Sequence, residues 1–310
     1  MSTRFASICL GILGCFLFAF LSPAASFGQK TGNGYPVGIL ISQEIRPFIQ
    51  MVEGLEANLK IPEYRIFMDR EGRPYSTDPR FKGVVPERFS AMVAVGPRAL
   101  SYLIHHKWPG PLFYGMILNP SVLLEEDREA CGVSLNLPYQ GQFLAIHRTF
   151  PDIRRLGILF DPLNNQDWFD QAEGAAELLG IRLIPLFARE QSDISTFFEK
   201  KDLGVDAVMF IPDRSVISRA VIEYVIKEAI FRGVPAIGYN RFFHDSGALM
   251  SFIIDYRGVG KRVAQQVKNI LEGRACAQLV PEYKILVNVR VAKKLGLRWG
   301  STLPERLEKD

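Results

Sequence analysis

Four histidines, four cysteines and 33 acidic residues are the chain's stock of acid–base, nucleophilic and metal-binding groups, and their spacing decides what they can do. His105 and His106 are adjacent, which on a helix sets their rings ~100° apart, and no cysteine or carboxylate stands four residues on to complete a zinc set. They read as a solvated helix end, and His147 and His244 stand alone. Glu125, Glu126 and Asp127 beside Arg128 read as an exposed turn rather than a pair of carboxylates placed for proton transfer. There is no G-x-S-x-G elbow, no phosphate loop ending in G-K-S/T, no H-E-x-x-H and no C-x-x-C. Gly258 and Gly260 form a lone G-x-G without the third glycine of a dinucleotide fingerprint, and read as a helix start packed close to a sheet. Trp108, Trp168 and Trp299 are scattered singly and read as packing residues. The expectation is therefore no catalytic residue, no metal and no cofactor, hence no enzyme.

The surrounding composition agrees. Of 310 residues, 48% are apolar and 23% charged, and the net charge of +4 is spread without a basic block, which excludes a nucleic-acid footprint. Part of the positive mean hydropathy of +0.07 comes from the first segment. Arg4 precedes an apolar run from Ile8 to Leu21, and small residues follow through Gly28, the three-part pattern of a secretory signal peptide over residues 1–28. Cleavage after Ser26 or after Gly28 satisfies the small-x-small rule. The run is short for a membrane span of ~20 residues, and the apolar stretch continues past Cys15, which argues against a lipoprotein box there. Removal takes away Cys9 and Cys15; Cys131 and Cys276 remain, either paired or as buried thiols.

From Tyr35 onward, short β-branched and aromatic runs alternate with stretches of helical period. Strands are predicted from Val37–Ile41 to Tyr283–Val289, and helices include Arg46–Leu59, Gln166–Leu179, Ser215–Phe231 and Tyr256–Glu272. The strands are continuously apolar, the mark of parallel sheets covered on both faces, so the class is α/β. Gly180, Gly233 and Gly273 are placed to stop helices. The segment ending at Ile41 (VGILI) resembles the one ending at Phe160 (LGILF), which suggests two similar halves with a boundary near 134–139. Two open sheets of this kind leave a cleft, and ligands bind outside the carboxyl ends of their strands.

The strongest local text is LGILFDP ending at Pro162, VDAVMFIPD ending at Asp213, GVPAIGYN ending at Asn240, GALMSFIIDYRGVGKRVAQQVKNILEG ending at Gly273, and YKILVNVRVAKKLGL ending at Leu297. It resembles the ABC-transporter periplasmic substrate-binding proteins of the tryptophan/tyrosine type. The likeness runs from about Val37 to Leu297, strong after Gly132 and moderate before it. The resemblance implies a two-lobed type I periplasmic-binding-protein fold, each lobe a mostly parallel sheet flanked by helices with a ligand cleft between. It implies lobe 1 at 35–136 plus about 252–275, and lobe 2 at 137–251 plus about 276–310. It also implies a periplasmic, monomeric solute-binding protein that closes on a small molecule by hinge motion and works with ABC permease and ATPase subunits, with no nucleic acid and no membrane span after signal cleavage. An exported ligand-sensing subunit of a membrane receptor is the alternative.

The matched loops follow strands, so the expected ligand contacts are Ser42, Gln43, Gly96, Arg98, Asn119, Asn164, Asn165, Asp213, Ser215, Tyr239 and Asn240. The family's hydroxyl before proline is missing at Gly96-Pro97, where Arg98 follows instead; Arg98 would bind a carboxylate bidentately, and Asp213 would take an amino group. Together they would suit an amino acid or a related small acid.

Overall fold

The computed structural model describes residues 35–309 except 125–128, 217 and 278. The expected signal peptide and the expected acidic turn at 125–128 lie outside the described residues. The first half of the chain runs β1 (Val37–Ile41), α1 (Arg46–Leu59), β2 (Glu63–Met68), β3 (Pro74–Tyr75), β4 (Ala91–Val95), α2 (Pro97–His105), β5 (Leu112–Ile117) and β6 (Cys131–Ser134). Then come α3 (Tyr139–Thr149), β7 (Arg155–Phe160), α4 (Pro162–Glu177), β8 (Arg182–Phe187), α5 (Gln191–Glu199), β9 (Ala207–Phe210), α6 (Arg219–Phe231) and β10 (Ala236–Gly238). The chain ends with α7 (Arg241–Asp245), β11 (Met250–Ile254), α8 (Tyr256–Leu271), β12 (Tyr283–Val287), α9 (Val289–Lys294) and β13 (Leu307–Lys309).

These strands form two sheets, ordered β3-β2-β1-β4-β5-β6 and β13-β12-β11-β10-β9-β7-β8. Pairing is parallel except for β3 on β2 and β12 on β11. The sequence likeness of the two halves is thus a likeness of wiring. β2-β1-β4-β5-β6 and β8-β7-β9-β10-β11 are the same order, each reversing direction between its first and third strands, at β1/β4 and at β7/β9. Every residue of β1, β4 and β5 is buried, as their unbroken apolar runs require of strands covered on both faces. Apolar clusters fill both faces of each sheet.

One helix departs from sequence order. The chain leaves the second sheet after Ile254, and α8 packs on the first sheet, its stripe of Val259, Val263, Ala264 and Val267 meeting Met51, Val52, Leu55 and Leu59 of α1. Gly260 makes this approach close: a Cβ there would lie 1.9 Å from the Met51 carbonyl oxygen. Its neighbour is therefore a helix backbone, not the sheet that its sequence context suggested.

Boundaries moved where capping side chains decide them. Strand β12 stops at Val287 rather than Val289 because the Asn288 side chain accepts a hydrogen bond from the Val291 amide and opens α9. Asp161 caps α4 at Pro162, but Asn165 breaks the helical dihedrals (φ −135°, ψ 17°), so regular helix resumes where the sequence placed it, at Gln166. Ser218 caps α6 four residues later than its expected start at Ser215, a region taken up by a 3-10 turn. The short elements β3, α7 and β13 were not foreseen; two to five residues carry too little period to register. Gly180, Gly233 and Gly273 do stop helices, with φ of 67°, 75° and 77°. His105 and His106 are both exposed at the end of α2, the second ring stacked on Tyr102. Of the two states left open for the cysteines, the structure shows the paired one: Cys131 and Cys276 form a disulfide with Cα atoms 5.6 Å apart.

Candidate functional site

At each reversal point of strand order, one buried polar side chain bridges the two diverging loops. In the first sheet it is Ser42, 2% exposed, whose hydroxyl accepts a hydrogen bond from the Ala99 amide at 2.8 Å and so caps α2 from another strand. Gly96 makes this possible: it holds φ 89°, and a Cβ there would lie 2.6 Å from the Phe48 ring and 2.8 Å from the Ser42 oxygen. In the second sheet it is Asp213, 3% exposed. One carboxylate oxygen accepts from the Asp161 amide (2.9 Å) and the Asn165 side chain (2.6 Å), the other from the Ser215 amide (2.9 Å) and hydroxyl (2.7 Å).

Asp213, Asn165 and Ser215 are therefore brought together, but into a latch closed on itself. With four donors on two oxygens, the carboxylate has no unfilled lone pair facing a ligand in this arrangement. Asn164 binds the Asp161 carboxylate at 3.1 Å. Arg98 donates to the Asp69 and Arg70 carbonyls (2.8 and 3.3 Å), tying α2 to the turn after β2. Asn119, in the left-handed region, pairs with Asn136 through their side-chain amides at 2.5 Å. Gln43 is exposed beside α1, and Asn240 caps α7 through the Phe242 amide at 2.9 Å.

Tyr239 packs against Phe243, the rings tilted by 50° with centroids 4.6 Å apart. Loss of water pushes its phenol up to about 12, helped by the carboxylate of Asp213 and by Tyr256. The unfolded phenol ionises near 10, so this contribution to stability is intact below about pH 10 and is lost as pH rises through about 12. A difference ultraviolet titration of wild type against Tyr239→Phe should place this residue's phenolate transition well above that of the exposed tyrosines; a transition near pH 10 would contradict the burial.

Between the lobes lies a cleft of about 580 Å³. Its walls are the start of α1 (Arg46, Pro47, Gln50), the start of α7 (Asn240, Arg241, Phe242), the crossover from Ile253 to Arg257, and Lys284. All three helices start at carboxyl ends of strands, as the fold requires of a ligand crevice. Of the eleven expected residues, Asn240 lines this cleft. Tyr256 and Asp255 were missed although Ile254-Asp255-Tyr256 stands in the most recognisable stretch of the chain; their place at the crossover was the usable signal.

The cleft is cationic. Arg257 pairs with Glu53, Lys284 with Glu308 at 2.7 Å, and Arg241 lies 4.0 Å from Asp245, while Asp255 caps α8 through the Gly258 amide. Arg46 makes no ion pair among the described residues, and the first turn of α1 beside it has no side-chain cap.

The comparisons with known proteins fit this geometry. A family model described as ABC transporter substrate binding protein matches residues 123–309, more than half of the chain. A conserved domain protein from Vibrio cholerae is similar at 19% identity, covering 89% of this chain and 99% of that one with a TM-score of 0.61. An ABC domain in complex with L-Trp from Streptococcus pneumoniae is similar at 17% identity, with the same coverages and TM-score. The ligand-free, open structure of a substrate-binding protein with adhesive properties from Clostridium difficile gives 15% identity, 89% and 99% coverage and a TM-score of 0.70. Among curated proteins the chain has no match. At these identities the solved structures establish the two-lobed type I periplasmic-binding-protein fold, and the family model establishes the rest: the chain belongs to the ABC transporter substrate-binding protein family.

Proposed function

We propose that the protein is the periplasmic solute-binding component of an ABC importer, and that it closes its two lobes around a small acid or amino acid without making or breaking a bond. The observation that carries the ligand class is Arg46, which makes no ion pair among the described residues and stands in the inter-lobe cleft at a start of α1 that has no side-chain cap. That combination favours a carboxylate, and Phe242 and Tyr256 offer apolar surface beside it. The Cys131–Cys276 disulfide supports an oxidising compartment, as does the export pattern of the sequence. Among the described residues no helix is long and apolar enough to cross a membrane. The family implies a permease and an ATPase as partners.

Thermal-shift screening tests this directly. Amino acids and small carboxylates at 1 mM should include a ligand that raises Tm, because binding at 100 times Kd adds about 2.7 kcal/mol to stability. Neutral sugars and nucleosides should leave Tm unchanged. Arg46→Ala should remove most of the shift; a shift that survives it would refute the carboxylate placement.

A further inference from the structure

Three crossovers join the lobes: residues 135–138 between β6 and α3, Asp255 between β11 and α8, and the segment from Glu272 to Glu282 between α8 and β12. The third is much the longest, and its first part does not hang free. It runs back along β6 as a strap, with Val133 and Leu279 forming an isolated parallel bridge. The Leu279 amide donates to the Gly132 carbonyl at 3.1 Å, and the Ser134 amide to the Leu279 carbonyl at 3.2 Å. The Ala277 amide reaches the buried Gln266 side chain at 3.3 Å. Its far end is tied too: the Asp255 amide donates to the Glu282 carbonyl at 2.9 Å, and Arg262 of α8 pairs with Glu282 at 2.6 Å. Residues 272–277 are all exposed, and the apolar anchor of the strap is Leu279, which packs against the cluster between α1, α8 and the first sheet. A few hydrogen bonds of this kind are individually weak, which leaves an exposed segment open to local release. The one covalent fastening is the disulfide from Cys276 on the strap to Cys131, 7% exposed, in β6.

We propose that this disulfide sets the length of the hinge and makes it redox-sensitive. With the bond intact, the third crossover is fastened on both sides of Val280 and Pro281, by the strap before them and by the tied Glu282 after them. With it cut, the strap after Arg274, whose amide donates to the Asn269 carbonyl at 2.8 Å, is held by hydrogen bonds and the Leu279 contact alone, and its release gives the lobes a longer, looser connection. This rests on the hinge-closure reading above and adds a control to it. The reductant is a dithiol. Its thiolate attacks the Sγ of Cys276, on the exposed strap, and Cys131 leaves as a thiolate that takes up a proton. The second thiol of the reductant then displaces Cys276 and departs as the oxidised dithiol, so two electrons and two protons pass to the protein pair.

Hydrogen exchange of the ligand-free protein tests the inference independently of any ligand. Oxidised wild type is compared with wild type in dithiothreitol and with C131S/C276S. We expect amides in peptides covering 273–280, and that of Ser134, to exchange at least tenfold faster without the disulfide, while peptides of α1 and α8 stay unchanged. Small-angle scattering of the same samples should show a wider spread of lobe separations. Equal strap exchange in both states, acceleration spread evenly through the first sheet, or an unchanged scattering profile would each overturn it. If C131S/C276S does not fold, reversible reduction and reoxidation of wild type gives the same comparison. Failure to find a ligand would undermine the importer reading and leave this result standing.

Discussion

Replacing Gly260 with valine should destabilise the protein by about 3 kcal/mol or more, near the upper end of overpacking effects. The site offers no room: a Cβ would lie 1.9 Å from the Met51 carbonyl oxygen and 2.5 Å from the Leu55 amide nitrogen, both backbone atoms of α1 that cannot rotate aside. The contact is reciprocal, since a Cβ at Gly54 would lie 2.1 Å from the Arg257 carbonyl oxygen. Relief requires moving α8 off α1 along the stripe that builds one face of the first sheet. Because α8 begins at the Asp255 crossover, the displacement also reaches the cleft wall at Tyr256 and Arg257. Gly174→Ala in α4, where an added Cβ meets nothing within 4 Å, is the matched control and should stabilise by about 0.5–1 kcal/mol. Urea unfolding of the three proteins separates the two outcomes; equal stabilities for wild type and Gly260→Val would show that the helices do not pack as closely as described.

Asp213→Ala should cost about 3 kcal/mol, for a different reason. The substitution removes one acceptor group and strands several donors: two backbone amides, a side-chain amide and a hydroxyl, around a site only 3% exposed. Each buried donor left without a partner costs about 1–3 kcal/mol, reduced where water enters the vacated space. Asn165→Ala, which removes a single donor and leaves the carboxylate three others, should cost only about 1 kcal/mol. This pair of variants also decides what Asp213 is for. If it is the latch between the loops after β7 and β9, stability falls in both variants and ligand affinity changes only in step with it. A variant of unchanged stability and lost affinity would restore the direct ligand contact that the sequence suggested.

Much of the fold was legible because its strands are buried on both faces, which leaves unbroken apolar runs such as Val37–Ile41 and Ala91–Val95 that match their observed ends residue for residue. Parallel wiring followed from the helices between them. Short edge elements such as β3 and β13, of two and three residues, are too brief to show a period, and β13 also depends on a partner some 22 residues back in the chain. The site was legible only as a set of loops. Polar residues after strands were expected to face a ligand, but Ser42, Arg98 and Asp213 each found backbone partners from another loop instead. Such long-range capping cannot be told from ligand binding by residue type, since the same hydroxyls, carboxylates and guanidinium groups serve both. Arg46 was passed over for the opposite reason: it reads as an ordinary first-turn residue until α1 and α7 are seen across one cleft.

The central claim is that the two lobes close on a small acid held between them. Small-angle scattering of the mature protein, measured with and without the carboxylate that raises Tm in the screen, tests it most directly. The account predicts a smaller radius of gyration with ligand, and no such change for Arg46→Ala under the same conditions. A radius of gyration unchanged at saturating ligand would contradict it.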